Sequence, residues 1–90
     1  MIELQPSRRF AREALNLSPE LRQTLQRKLD LFCKNPGHPS LRVKKVRGYK
    51  GVWELSITEQ YRVTFEWAEG EGIRTVILRR VGTHEILKRP

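Results

Sequence analysis

The stretch 52–66, VWELSITEQYRVTFE, limits what this chain can become more than any other. Trp53, Leu55 and Ile57 share one parity, and Val52, Glu54 and Ser56 share the other. Past Thr58, Glu59 and Gln60, Tyr61, Val63, Phe65 and Trp67 fall on one parity and Arg62, Thr64 and Glu66 on the other. Successive side chains of a strand point to opposite faces. The pattern therefore predicts two strands around a tight turn, making a sheet with one apolar and one polar face. The apolar face demands a cover. The polar face, carrying Arg62, is where function is sought.

The cover is written in the first third of the chain. Leu17-Ser18-Pro19-Glu20 is a helix start: serine caps, proline fits the first helical position, and glutamate suits the positive end of the dipole. Leu21, Leu25, Leu29 and Phe32 then recur at one-face helical spacing, with Arg22, Gln23, Gln26, Arg27 and Asp30 off the stripe. This helix is expected to reach about Lys34, where Asn35-Pro36-Gly37 ends it. Ser7 caps a shorter helix running to about Asn16, with Phe10, Ala14, Ala11 and Leu15 inward and Arg8, Arg9 and Arg12 in water. Before it, Ile2 and Leu4 alternate in a short edge strand over 1–5, broken by Pro6-Ser7.

The remaining segments extend the sheet. The stretch 41–48, LRVKKVRG, reads as a cation-rich strand, and Tyr49-Lys50-Gly51 turns the chain into the hairpin. AEGEG at 68–72 is a second turn. The strand 73–81 carries Val76-Ile77-Leu78, a continuous apolar run that suits a central position. Gly82 then breaks the chain, and Thr83 is placed to cap a short helical turn through Leu87. The class is α+β: a short strand and a helix hairpin packed on one face of a small twisted, mostly antiparallel sheet. Ninety residues make one domain, 1–90, with a core of modest size.

Charge narrows the partners. The net charge of +8 predicts fast, salt-sensitive association with polyanions: nucleic acid, an acidic protein or an anionic surface. A single cysteine, Cys33, excludes an internal disulfide framework, and no His/Cys spacing suggests a metal, so neither metal nor cofactor is expected. No apolar run is long enough to span a bilayer, and MIELQPSRRF lacks the apolar core of a signal peptide, so a cytoplasmic protein without a membrane partner is expected.

On the polar face, Arg62 has Ser56 and Thr64 as neighbours, and Arg42 with Lys44 or Lys45 comes from the preceding strand. One of Arg79 and Arg80 is expected to face the same way, because adjacent strand residues alternate. His84 follows just beyond the last strand. Arginine suits bidentate contact with phosphate, lysine adds point charge, and Tyr61, Tyr49 or Trp53 are available to stack bases. Trp53 and Trp67 are better explained as core or rim packing, and His38 as a loop residue.

LRVKKVRG, GVWELSITEQYRVTFEW and VILRRVGTHEIL, in this order after the helix hairpin with its LSPELRQ link, resemble the RelE/ParE superfamily of bacterial type II toxin–antitoxin toxins. The resemblance implies a toxin held inactive by a cognate acidic antitoxin. On the RelE and YafQ side it implies a metal-independent endoribonuclease that cuts mRNA in the A site of the 70S ribosome and so represses translation. Arg62 matches the YR arginine, and His84 falls where YafQ-type enzymes place a histidine. The resemblance thus makes His84, Arg62, Arg80 and Glu54 the catalytic candidates, with Glu54 as a substitute base. Arg42, Lys44, Lys45, Arg47, Arg79 and Tyr61 are the candidate RNA contacts. The chain departs from the YafQ pattern at Ser56 and Gln60, and from the RelE lysines at Trp53, Glu54 and Leu55. The alternatives are a non-catalytic ParE-like gyrase inhibitor and an antitoxin-binding module that has lost catalysis.

Overall fold

The computed structural model describes residues 2–70 and 72–90. The chain runs β1 (Ile2–Pro6), α1 (Arg8–Leu15), α2 (Pro19–Lys34), a 3-10 turn (Pro39–Leu41), β2 (Lys44–Lys45), β3 (Trp53–Ser56), β4 (Tyr61–Gly70), β5 (Ile73–Thr83) and a closing 3-10 turn (His84–Lys88). The sheet order is β1-β5-β4-β3-β2. β1 runs parallel to β5, and the other pairs are antiparallel.

Both helix starts form by the expected chemistry. Ser7 Oγ accepts from Phe10 N at 3.1 Å, and Ser18 Oγ accepts from Leu21 N at 3.2 Å. Each satisfies one amide the first helical turn leaves without an internal partner. Leu25, Leu29 and Phe32 of α2 are buried against Leu55, Val63 and Phe65 of the sheet in one core cluster. Phe32 anchors it: its ring centroid lies 5.1 Å from Phe65 and 5.6 Å from Trp67. α1 contributes Phe10 alone to the fully buried set, and Leu15, expected inward, is 71% exposed.

The hairpin register is the predicted one. Trp53 faces Phe65, Leu55 faces Val63, Glu54 faces Thr64 and Ser56 faces Arg62. The loop between them closes on Thr58, whose Oγ1 accepts from Gln60 N and Tyr61 N. β5 is an interior strand between β1 and β4, with β4 at the centre of the sheet; Val76, Leu78 and Val81 are buried, and Ile77 on the other face is half-buried.

Three boundaries differ; one is β5, which runs through Gly82 to Thr83 in register with Arg62 and Tyr61 instead of breaking at the glycine. The cation-rich strand over 41–48 shrinks to Lys44–Lys45, because Leu41 is drawn into the core at the end of a 3-10 turn and Arg42 takes a left-handed conformation at φ 48°. The turn expected over 68–72 is narrower: Ala68 to Gly70 complete β4. Gly72 sits at φ +72°, and Glu71 lies outside the described residues, as does Met1 of the first strand. Thr83 precedes the closing 3-10 turn without a side-chain cap bond.

The polar face is not left bare. The segment after Thr83 folds back over it, with Ile86 and Pro90 buried. Gly82 makes this possible, since a Cβ there would lie 2.8 Å from Ile86 Cγ2. Thr64 donates to the Pro90 carbonyl oxygen at 3.1 Å, and Thr64, Glu54 and Ser56 of this face are buried.

Candidate functional site

Arg62 stands on β4 between Ser56 of β3 and Gly82 of β5. Its Nη1 donates to the carbonyls of Thr58 at 2.7 Å, Glu59 at 2.8 Å and Tyr61 at 3.1 Å. Its Nε lies 3.6 Å from Glu54 Oε1. The guanidinium therefore first serves the hairpin loop, bonding the carbonyls of Thr58 and Glu59 in the bend and that of Tyr61, which also accepts from Ile57 N. Glu54, the candidate base, is 4% exposed and lies diagonally across from this arginine on the neighbouring strand. Its position is that of a charge partner, because a carboxylate this buried is retained only when paired.

Arg79 and Arg80 correct the expectation that one of them faces away. Thr64 pairs with Arg80, yet Phe65 pairs with Leu78, so a β-bulge places Arg79 and Arg80 together against a single step of β4. A bulge cancels the strict alternation of a strand. Both side chains line one hollow on the polar face, about 540 Å³ in volume, together with Arg9, Arg89 and Tyr49. Each is also held. Arg80 Nη2 lies 2.6 Å from Glu13 Oε2, its Nε also donates to that carboxylate at 3.1 Å, and its Nη1 reaches the Arg89 carbonyl. Arg79 pairs with Glu66 at 2.5 Å and donates to the Pro90 carbonyl at 3.1 Å. Bidentate arginine–carboxylate pairs fix orientation as well as charge.

His84 is exposed, and its backbone N donates to the Gln60 carbonyl at 3.2 Å. That bond ties the backbone of His84 to the hairpin loop which Arg62 closes. Next to it, the hydrogen bond and charge of Lys88 hold the Glu85 carboxyl below its usual range, and His84 adds a smaller pull the same way.

The remaining candidates spread out. Arg42 lines a small recess with Lys28, Ser40 and Ser56. Lys44 faces Glu54 across the sheet, whereas Lys45 faces Trp53 and places its Nζ 5.6 Å from that ring. Arg47 is exposed in the loop after β2. Tyr61 packs against the core cluster on the helix-covered face, away from Arg62. His38 Nδ1 accepts from Ser40 N, the structural role expected of a loop histidine. Among the described residues no group of three His, Cys, Asp or Glu is placed to hold a metal ion, and no helix is long and apolar enough to cross a membrane.

Sequence reading did not foresee the part of Glu13 and Glu66, which hold the paired arginines, nor of Arg9 and Arg89, which line the same hollow. Periodicity puts Glu13 and Arg9 on helix α1 but carries no signal that this helix sits beside the bulge.

No protein-family model matches the sequence, and no curated protein sequence matches it. Solved structures do match. A YoeB/ParE toxin from Agrobacterium tumefaciens aligns at TM-score 0.75 and 10% identity, over 91% of this chain and 98% of that one. YafQ from E. coli aligns at TM-score 0.75 and 13% identity, over 97% and 98%. The toxin of the E. coli RelBE toxin–antitoxin complex aligns at TM-score 0.67 and 21% identity, over 90% and 94%. The matches span nearly the whole of both chains, and the chain has a RelE/ParE-like toxin fold.

Proposed function

We propose that this protein is the toxin of a toxin–antitoxin pair and acts as an endoribonuclease on mRNA, with the A site of the 70S ribosome as the place of cutting. The observation that carries the reading is His84: an exposed residue just past the end of β5, tied through its backbone N to the loop closed by Arg62. In the reaction the ribose 2′-hydroxyl loses its proton and attacks the adjacent phosphorus. The bond to the 5′-oxygen breaks, and that oxygen takes up a proton, leaving a 2′,3′-cyclic phosphate and a 5′-hydroxyl. Imidazole exchanges protons near neutral pH and supplies the protonation of the leaving oxygen. Arg62 stabilises the charge that builds on the phosphate. With Glu54 committed to Arg62, the 2′-hydroxyl proton passes to water, so one side chain does the proton work.

The expected outcome is growth arrest on induced expression, with discrete cuts in mRNA mapped by primer extension. His84→Ala should lower cleavage about 10²–10⁴-fold. If both His84→Ala and Arg62→Ala leave toxicity intact, the assignment is wrong. An acidic antitoxin is the proposed partner; several of the matching structures are toxin–antitoxin complexes, among them RelB–RelE and DinJ–YafQ. Co-expression with the product of the adjacent gene should restore growth.

One observation favours a second reading. Arg62, Arg79 and Arg80 are each engaged by a carboxylate of the same chain. That suits a toxin which binds without cutting, such as a gyrase inhibitor. Inhibition of supercoiling by purified protein that cuts no RNA would select it.

A further inference from the structure

Tyr49 is the exposed aromatic of the loop between β2 and β3, 42% accessible to solvent. The loop is closed on itself: Val46 N donates to the Val52 carbonyl at 2.9 Å, and Gly48 and Gly51 take positive φ to make the turn. The Tyr49 hydroxyl donates to the Lys88 carbonyl, which ties the ring to the C-terminal segment. Two basic hollows meet at this ring. One is the polar-face hollow of Arg9, Arg79, Arg80 and Arg89, where Glu66 is the lining carboxylate. The other, about 750 Å³, is lined by Lys45, Arg47, Lys50 and Trp53, with no carboxylate among its lining residues. Lys45 already covers the Trp53 ring, whereas Tyr49 lines both hollows.

Alternation of cations with an accessible, pre-oriented ring is the chemistry that holds a single strand: charge tracks the phosphates, and the ring stacks a base whatever its identity. We propose that Tyr49 is the base-stacking platform of a single-strand track. The track runs from Arg47 and Lys50, past Tyr49, to Arg9 and Arg89. This rests on the reading of the protein as RNA-directed. An acidic polypeptide would use the same charges but would gain little from the ring.

The test is fluorescence anisotropy with a labelled 2′-O-methyl oligoribonucleotide, which binds but cannot be cut, titrated with wild-type protein. Tyr49→Ala should weaken binding about tenfold or more, the loss expected of one stacked base. Tyr49→Phe, which keeps the ring, should stay within about threefold of wild type. Arg47→Ala and Arg89→Ala should each flatten the salt dependence by roughly 0.7 in the log–log slope. Arg22→Ala, on the outer side of α2, should change neither. Equal affinity of wild type and Tyr49→Ala overturns the proposal. So does a polyglutamate of similar charge that competes as well as the oligonucleotide. Absence of oligonucleotide binding overturns it too. Binding that depends on Tyr49 without any RNA cutting would leave the track standing and sink the nuclease reading instead. Cutting that depends on His84, with binding indifferent to Tyr49, would do the reverse.

Discussion

Gly82 shows how one absent side chain organises the polar face. A methyl group there would meet Ile86 Cγ2 at 2.8 Å, and Ile86 is itself buried and branched, so it has little room to yield. Gly82→Ala is therefore expected to lower stability by about 1–3 kcal/mol, the usual range for overpacking, read as a drop in the urea midpoint. Cys33 gives a second residue-scale prediction. Burial, and then the charge of Asp30, raise its thiol above the usual value. A raised value means less thiolate at neutral pH, so iodoacetamide should react more slowly than with a free cysteine, and the rate should keep rising with pH beyond the point where a free thiol levels off. A rate equal to that of a model thiol would contradict this.

At the scale of elements, the start of α2 depends on local sequence alone, whereas Ser7 at the start of α1 also donates to the Arg79 carbonyl; the mutational cost at Ser18 should therefore be local. Ser18→Ala removes the acceptor for Leu21 N and is expected to cost about 1 kcal/mol, measured by chemical denaturation. The strands behave differently. Period-2 alternation sufficed to place Glu54, Ser56, Arg62 and Thr64 on one face, and the observed register agrees. It failed at Arg79 and Arg80, where the bulge beside Thr64 puts consecutive arginines into the same hollow. A bulge depends on how two strands meet, not on the residues of either. The run over 41–48 failed for a related reason: burying Leu41 under the sheet outweighed the weak strand preference of a lysine-rich edge.

The molecule as a whole hangs on one core between α2 and the sheet, so damage there should be global. Phe32 is fully buried against Phe65 and Trp67. Phe32→Ala is expected to cost about 3–5 kcal/mol, a large part of the roughly 5–15 kcal/mol that holds a domain folded. Loss of the near-ultraviolet signal together with helical ellipticity in one transition would show the cooperative behaviour this core implies. The net charge of +8 acts at the same scale. If about four to five phosphates are neutralised, raising salt from about 50 to about 200 mM should weaken single-strand binding roughly hundredfold.

The sequence by itself determined the α+β class, the caps of α1 and α2, the two faces of the hairpin, the interior place of β5 and which arginine shares a face with Ser56 and Thr64, because each rests on neighbours a few residues apart. Only the tertiary structure decided what those arginines do. Arg62 closes its own loop, Arg80 is held by Glu13 from a helix 67 positions away, and the segment ending in Pro90 lies across the polar face. Glu54, readable as a base in a string of letters, is a buried partner of Arg62 in space, and His84 is exposed. Alternation and capping are properties of a local backbone, whereas a charge is free or committed according to what long-range packing brings beside it.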